Sequence, residues 1–252
     1  MTEVTPNTTT IQSSERRNTR RLWIVRHGQT DWNTQQRFCG RSDIPLSAQG
    51  RVQATWLAEQ LQKETIAALY TSDLLRARET AEIIAQQRTP TIPIRPSSAW
   101  RELDFGDWEG LTYEQITDQF KDQLGFFTDP EHSSPPKGES QTHLQQRVKD
   151  ALATIVHSDV SPAGDMVLVS HGGPLRILLC SILGMPLQHQ WRLRLDHGSL
   201  SAIDLLPVHE TSEPRAVLAL LNVQRPAYAN HSANSLISSE AASERRRVRG
   251  KM

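Results

Sequence analysis

The chain has 252 residues, of which 37% are apolar, and its 28 Lys and Arg side chains balance 28 Asp and Glu side chains. Its length and apolar content are enough for one large domain with a hydrophobic core. The zero net charge excludes a global attraction to nucleic acids or acidic membranes, so any anion binding must be local. The longest candidate for an apolar span, 175–183, is interrupted by Arg176 and is too short to cross a bilayer.

Apolar runs bounded by turn residues alternate with segments of helical periodicity along the chain. The predicted strands are 22–25, 66–70, 92–95, 166–169, 200–206 and 216–222. The predicted helices are 48–62 after the N-cap Ser47, then 74–87 after a cap at 71–73, 113–120, 139–157 and 174–183. Loops are predicted at 31–44, 100–110 and 129–138. This alternation favours one α/β domain over 21–225 with a mostly parallel sheet, whose ligand sites form at the carboxyl ends of strands.

The two ends of the chain differ in composition from this domain. Residues 1–20 are rich in Thr, Ser, Asn and Arg and lack the apolar core of a secretory signal, which predicts a disordered leader. Residues 226–252 are rich in Ser, Ala and Asn and end in a run of arginines, which predicts a flexible basic tail. Such a run is usually only solvated, and nucleic-acid binding is the minor alternative.

The two cysteines, Cys39 and Cys180, lie far apart and outside any CxxC or His-rich motif. This pattern indicates neither a zinc site nor a disulfide framework. Reduced thiols are expected, and with them a cytoplasmic protein.

The first predicted strand ends abruptly in Arg26-His27-Gly28, and the strand at 166–169 ends in Ser170-His171-Gly172-Gly173. Two strands therefore deliver a histidine to the same edge of the sheet. Arg76, at a predicted helix start, and Glu102, in the loop after Trp100, come from two further segments. Arginines, histidines and helix N-terminal N–H groups together form a pocket for a dianion such as a phosphoryl group.

These residue types are suited to phosphoryl transfer. His27 is the better nucleophile candidate, because a neutral imidazole can attack phosphorus in line with the leaving oxygen and form a phosphohistidine. Arg26, Arg76 and a protonated His171 would stabilise the equatorial oxygens. Glu102 would protonate the leaving alkoxide and then deprotonate the attacking water, although a salt bridge is its ordinary alternative role.

The chain resembles the histidine phosphatase superfamily, which contains the cofactor-dependent phosphoglycerate mutases and their phosphatase relatives. The motifs that carry the resemblance are RHGQTDWN at 26–33, GRSDIPLSAQG at 40–50, TSDLLRARETA at 71–81, RELDFGDWEG at 101–110, PKGES at 136–140 and SHGGPLR at 170–176. They occur in the family's order over about 150 residues. The resemblance implies a three-layer αβα sandwich around a mixed sheet of about six strands.

The resemblance also implies roles for individual residues. His27 would be the phosphorylated nucleophile, and Glu102 the general acid and base. Arg26, Arg76 and His171 would form the phosphate pocket, with Gly172 beside it and Asn33 as a nearby substrate contact. No cofactor and no metal is expected. The expected partner is a small phosphorylated metabolite, and a homodimer is an open expectation.

The segment after Glu102 separates the branches of the family. Phosphoglycerate mutases carry a longer insertion with an Arg-His-Tyr-Gly element there, whereas this chain reads LDFGDWEG at 103–110, as in the phosphatases. Hydrolysis is therefore favoured over mutase activity. α-Ribazole phosphate and phosphoglycerate-related compounds are both candidate substrates, and a binding module without turnover is the rival class.

Several other residues are assigned ordinary roles. The acids Asp104, Asp107 and Glu109 are expected to be solvated or to cap turns. Trp108, Tyr113, Phe126 and Phe127 could meet an aromatic substrate, but a small core under a lid is the preferred interpretation. The remaining histidines are scattered without metal-ligand spacing, at positions 132, 143, 157, 189, 197, 209 and 231.

Overall fold

The computed structural model describes residues 19–130, 132–156, 164–206 and 216–226. Its strands are β1 (Arg20–Arg26), β2 (Ile66–Ser72), β3 (Ile94–Ser97), β4 (Asp165–Ser170), β5 (Leu200–Leu205) and β6 (Ala216–Val223). Its helices are α1 (Asp31–Thr34), α2 (Ala48–Leu61), α3 (Leu75–Gln86), α4 (Tyr113–Gln119), α5 (Gly125–Thr128), α6 (Gln141–Val156) and α7 (Gly172–Ile182). Short 3₁₀ turns lie at Ser98–Trp100, Gly106–Trp108 and Leu187–Arg192.

The six strands form one sheet in the order β3-β2-β4-β1-β5-β6. The first four strands in this order are mutually parallel, whereas β5 and β6 are antiparallel to their neighbours. The prediction of a mixed, mostly parallel sheet of about six strands is therefore confirmed. Parallel pairing of β1 with β4 brings their carboxyl ends side by side, with Arg26 opposite Ser170.

Helices cover both faces of the sheet, which gives the three expected layers. Along β1, Leu22 and Ile24 point to the face that packs against α6 and α7. Trp23 and Val25 point to the opposite face, which packs against α2 and α3. Both faces of this strand are buried, so its sequence is a continuous apolar run. No helix among the described residues is long and apolar enough to cross a membrane.

Several boundaries differ from the predicted ones. β1 begins at Arg20, inside the segment predicted as a disordered leader; residues 1–18 and 227–252 lie outside the described residues. β3 runs two residues later than predicted and includes Pro96, which an edge strand tolerates because one side of its backbone needs no partner. α7 begins at Gly172, before Pro174, because N–H groups of the first helical turn have no intrahelical acceptor in any case.

The start of α3 corrects another prediction. Residues 71–73 were expected to cap this helix, but Thr71 and Ser72 belong to β2 and the N-cap is Leu74, which makes no side-chain cap bond. The backbone N–H of Leu75 instead donates to Asp43 Oδ1, from the loop that precedes α2. This loop therefore anchors the helix that carries Arg76.

Candidate active site

The two strand-end histidines lie side by side at the carboxyl edge of the sheet. His27 follows β1 and His171 follows β4, and their ring centroids are 4.9 Å apart with the planes inclined by 60°. Both are buried, with exposures of 3% and 0%. The backbone N–H of His27 also donates to Ser170 O at 3.0 Å, which joins the two strand ends.

One hydrogen bond determines which nitrogen of His27 can act as a nucleophile. Its Nδ1 lies 2.7 Å from the carbonyl oxygen of Gly28. A carbonyl only accepts, so Nδ1 must carry the proton and Nε2 keeps its lone pair. Glycine at position 28 lets this loop pack closely against α2, because a Cβ there would collide with the backbone of Gly50.

Loop carbonyls orient the two guanidinium groups of the site. Arg76 is fully buried and donates to Ser42 O at 2.9 Å, to Gly40 O at 2.7 Å and to Cys39 O at 3.3 Å. Arg26 donates to Leu195 O and contacts His197 at the other side of the site.

Four buried nitrogen atoms of this pocket have no hydrogen-bond partner. They are Nε of Arg26, Nε of Arg76, and both ring nitrogens of His171. Buried polar groups without partners are rare in folded proteins, so these four nitrogens are available to hydrogen-bond a ligand. Two guanidinium groups and two imidazoles around one space suit an anion that accepts several hydrogen bonds, such as a phosphoryl group.

Glu102 is tied to the N-terminus of α7. Its carboxylate accepts from the backbone N–H of Gly173 at 3.1 Å and 3.2 Å, and from Leu103 N at 2.9 Å. The positive end of the helix dipole favours a carboxylate at this position. A Cβ on Gly173 would lie 2.3 Å from Oε1 of Glu102, so a larger residue would displace the carboxylate from this position. Arg147 holds the backbone of Glu102 by donating to its carbonyl oxygen at 3.0 Å.

Burial and the neighbouring cations set the charges of the site. Burial, with Arg76 and Arg26 adding repulsion, lowers the pKa of His27 and of His171 well below the usual range. Burial and the repulsion of Arg176 lower the pKa of Arg26 to about 10, so it stays cationic at neutral pH. Without an anion beside it, His171 is therefore neutral at neutral pH, and the expected protonated form requires a bound anion.

We expect the protein to lose stability as pH falls below about 6.5, the ordinary pKa of histidine in an unfolded chain. The pKa values of His27, His171 and His197 are all depressed by burial, so below that pH the unfolded chain binds protons that the folded protein does not. With all three titrating, the free energy of unfolding should fall by up to about 4 kcal/mol per pH unit. Urea unfolding between about pH 7.5 and about pH 5.5 measures this slope, above the range where most carboxylates titrate.

The control for this prediction is His143→Gln, which replaces an exposed imidazole and should keep the wild-type slope. Saturating inorganic phosphate should reduce the loss, because a bound anion favours the protonated rings. If the free energy of unfolding stays constant over this pH range, the pKa values of these three histidines are not lowered in the folded protein.

The other predicted site residues occupy defined positions. Asn33 is half-buried, and its Oδ1 accepts from the backbone N–H and the hydroxyl of Thr30 in the capping box of α1. Its role as a substrate contact stays a prediction. Gly172 is the first residue of α7, where a Cβ would lie 3.0 Å from Nη1 of Arg176 and 3.3 Å from Cζ of Arg26. The guanidinium groups can therefore approach the start of the helix closely.

Two of the three acids after Glu102 have the expected roles, since Asp104 caps a turn and Asp107 lies at the surface, whereas Glu109 binds a distant loop. Glu109 accepts from the backbone N–H of Arg41 at 2.7 Å and from the hydroxyl of Ser42 at 2.6 Å, so it shapes the loop around Arg76. Asp104 accepts from Gly106 N at 2.9 Å, and Asp107 forms a surface ion pair with Lys137.

The aromatic residues after the site form a small core of their own. Trp108 is fully buried and stacks on Phe127 with ring centroids 4.9 Å apart and an angle of 2° between planes. Phe38, Phe120 and Phe126 meet Trp108 edge-on. Packing under a lid, the preferred interpretation, therefore accounts for these rings. Tyr113 stands at the edge of the cluster, half exposed.

The sequence-based prediction missed two residues at the site. Gly173, which binds Glu102, was recognised only as part of a motif, and His197, which contacts Arg26, was grouped with the scattered histidines. Of that group, His157, His209 and His231 lie outside the described residues. Within the described ranges no cluster of three or more His, Cys, Asp and Glu side chains could hold a metal ion.

The comparisons with known proteins agree with this geometry. Residues 22–213 match the histidine phosphatase superfamily, branch 1. The chain is 38% identical over 186 residues to the "Probable phosphoglycerate mutase GpmB" of Salmonella choleraesuis, covering 73% of this chain and 84% of the relative. The α-ribazole phosphatase structure from Shigella flexneri aligns with a TM-score of 0.71 and 29% identity, over 81% of this chain and 96% of that one.

A mycobacterial glucosyl-3-phosphoglycerate phosphatase in complex with VO3 aligns with a TM-score of 0.70 and 33% identity, over 81% of this chain and 100% of that one. Sequence and fold similarity thus extend over most of the described domain. The chain belongs to the histidine phosphatase superfamily.

Proposed function

We propose that the chain is a hydrolase of small phosphorylated metabolites that acts through a phosphohistidine at His27. The observation that carries this proposal is the environment of that ring. Its Nδ1–H is bound by Gly28 O, which leaves the Nε2 lone pair for attack. Arg26, Arg76 and His171 lie near this ring, and their unpartnered nitrogens suit a phosphoryl group.

In the first step, Nε2 of His27 attacks phosphorus as the bond to the ester oxygen breaks. Protonated Glu102 gives its proton to the leaving oxygen, so the product alcohol departs neutral. In the second step, the Glu102 carboxylate takes a proton from water, the water oxygen attacks phosphorus, and the N–P bond breaks. Inorganic phosphate then leaves and His27 is restored with its lone pair.

The cations act on the charge that the transferring phosphoryl group carries. Phosphoryl transfer needs little from a protein beyond positioning and electrostatic stabilisation of the equatorial oxygens. Arg26 and Arg76 are held by backbone carbonyls and need no reorganisation when the substrate arrives. A bound dianion would also raise the pKa of His171, and the protonated ring could then donate to a phosphoryl oxygen.

Mutase activity on phosphoglycerates is the second candidate, because relatives at 38% identity carry that name. Hydrolysis is favoured by the segment after Glu102. It lacks the Arg-His-Tyr-Gly element, and Trp108 and Phe127 pack there into a closed aromatic core. The structural neighbours named as phosphatases act on α-ribazole phosphate or glucosyl-3-phosphoglycerate, so both esters are candidate substrates.

A substrate panel tests this proposal. We expect the purified protein to hydrolyse p-nitrophenyl phosphate and to release phosphate from one of α-ribazole 5′-phosphate, glucosyl-3-phosphoglycerate and 3-phosphoglycerate at a higher kcat/KM than from the others. Exchange between 3- and 2-phosphoglycerate that requires 2,3-bisphosphoglycerate would instead identify a mutase. Phosphate binding without any turnover would identify a binding module.

Location and assembly are further parts of the proposal. Cys39 and Cys180 are free thiols, which suits the reducing cytoplasm. Burial raises the pKa of the Cys39 thiol to about 11, so it is protonated and unreactive at neutral pH. The homodimer stays a prediction that a sedimentation measurement would test.

A further inference from the structure

His197 lies at the active site although no motif points to it. It belongs to the loop between the 3₁₀ turn Leu187–Arg192 and β5. Its Nε2 is 2.7 Å from Nη2 of Arg26, and its ring centroid is 5.3 Å from that of His27. His197 thus contacts both residues that β1 delivers to the phosphoryl pocket.

The contact with Arg26 determines the protonation of His197. A guanidinium group has donors and no acceptor, so Nε2 of His197 must accept this hydrogen bond. The ring must then be neutral and carry its proton on Nδ1. Burial, together with the charges of Arg26, Arg76 and Arg176, lowers its pKa well below the usual range and so favours this form.

Hydrogen bonds hold the backbone on both sides of His197. The backbone N–H of Gly198 donates to His27 O at 2.9 Å and to Arg26 O at 3.1 Å. The backbone N–H of Asp196 donates to Oδ1 of Asn222 in β6 at 2.7 Å, and Nδ2 of Asn222 returns a bond to the Asp196 carboxylate at 2.9 Å. The imidazole is therefore presented to Arg26 from a fixed backbone.

We propose that His197 is a positioning residue for phosphoryl transfer, a neutral acceptor that orients the guanidinium of Arg26 in the phosphoryl pocket. Leu195 O binds Nη1 and His197 binds Nη2, so two contacts from one loop set the guanidinium plane. The Nε–H of Arg26, which has no partner, can then donate a hydrogen bond to a phosphoryl oxygen. This inference rests on the proposed function, and His197 acts through Arg26.

The test compares substitutions that keep or remove the acceptor. His197→Phe keeps an aromatic ring but removes the acceptor nitrogen. This variant should lower kcat/KM for p-nitrophenyl phosphate and weaken vanadate binding, each by about 10- to 100-fold, as for a lost charge-assisted hydrogen bond. His197→Gln places an amide oxygen near the position of Nε2 and should stay within about threefold of wild type on the same scale. His189→Phe, the same change at a histidine in the preceding turn, is the matched control and should leave both quantities unchanged.

A double-mutant cycle separates positioning from general packing. In an Arg26→Met background, His197→Phe should change vanadate affinity by less than about twofold, because the group it orients is gone. If His197→Phe fails to fold, His197→Asn replaces it, since its shorter amide does not reach the Nε2 position. Vanadate binding is measured by calorimetry, so the inference is tested even if wild type proves not to hydrolyse phosphoesters.

Wild-type vanadate affinity in a folded His197→Phe variant would overturn the inference. Equal losses in His197→Phe and His197→Gln would overturn it too, as would the same loss with and without Arg26. Thermal unfolding of each variant verifies that the compared proteins are folded.

Discussion

Replacement of His27 by asparagine is expected to lower kcat/KM for phosphoester hydrolysis by at least about 10⁴-fold, because the proposed nucleophile is lost. Asparagine retains an N–H that can donate to Gly28 O, the bond that orients the native ring. The surrounding arginines also remain, so the variant should still bind vanadate while losing turnover. Steady-state hydrolysis of p-nitrophenyl phosphate measures the loss.

Trapping of the phosphoenzyme provides a second measurement of the role of His27. Brief incubation of wild type with labelled substrate and rapid quenching should trap a phosphoenzyme that is labile in acid and stable in base, and His27→Asn should trap none. His143→Asn, at an exposed position on α6, is the matched control and should keep full activity and labelling. Hydrolysis by a folded His27→Asn variant at more than a few per cent of the wild-type rate would exclude His27 as the nucleophile.

Replacement of Glu102 by glutamine should produce a loss that depends on the leaving group. For an alkyl phosphate we expect a decrease of about 10²- to 10⁴-fold in kcat/KM, because the alkoxide then departs without a proton. p-Nitrophenolate leaves without protonation, so its first turnover should be nearly as fast as in wild type. Hydrolysis of the phosphoenzyme still needs a base, so rapid-mixing kinetics should show a burst of p-nitrophenol followed by a slow phase.

The matched control for this prediction is Glu114→Gln, an exposed acid in the first turn of α4. It should change neither substrate's kinetics. Equal losses for both leaving groups in the burst phase would assign Glu102 to binding or to the fold, through its bonds to Gly173 and Leu103, and would contradict the acid–base role.

The layered architecture could be predicted because it depends on local patterns. The continuous apolar runs at 22–25 and 166–169 match strands whose two faces are both buried. A strand of this kind that ends in a polar group and glycine indicates a ligand site at the carboxyl edge, and both histidines lie there. Boundaries were less accurate. The strand predicted at 92–95 continues through Pro96, and the helix predicted to begin at Pro174 begins at Gly172, because an edge strand and a first helical turn both accept proline.

The contacts that complete the site join segments far apart in the chain. The cap of α3 comes from Asp43, the acceptor for Arg26 from His197, and the donor to Glu102 from Gly173. No spacing rule connects these pairs, because their distance depends on how loops from different strands meet at the sheet edge. His197 in particular has no periodic or motif context, and its contacts with Arg26 and His27 in the folded protein distinguish it from the other scattered histidines.

The sequence by itself determined the strands, the longer helices, the mixed α/β class and the set of residues suited to phosphoryl transfer. These follow from hydrophobic periodicity and from side-chain chemistry, which are properties of short segments. The tertiary structure decided which nitrogen of His27 carries the proton, that burial lowers the pKa of His171, and how each arginine is held. The physical reason is that tautomer, charge and orientation depend on burial and on partners supplied by distant parts of the chain.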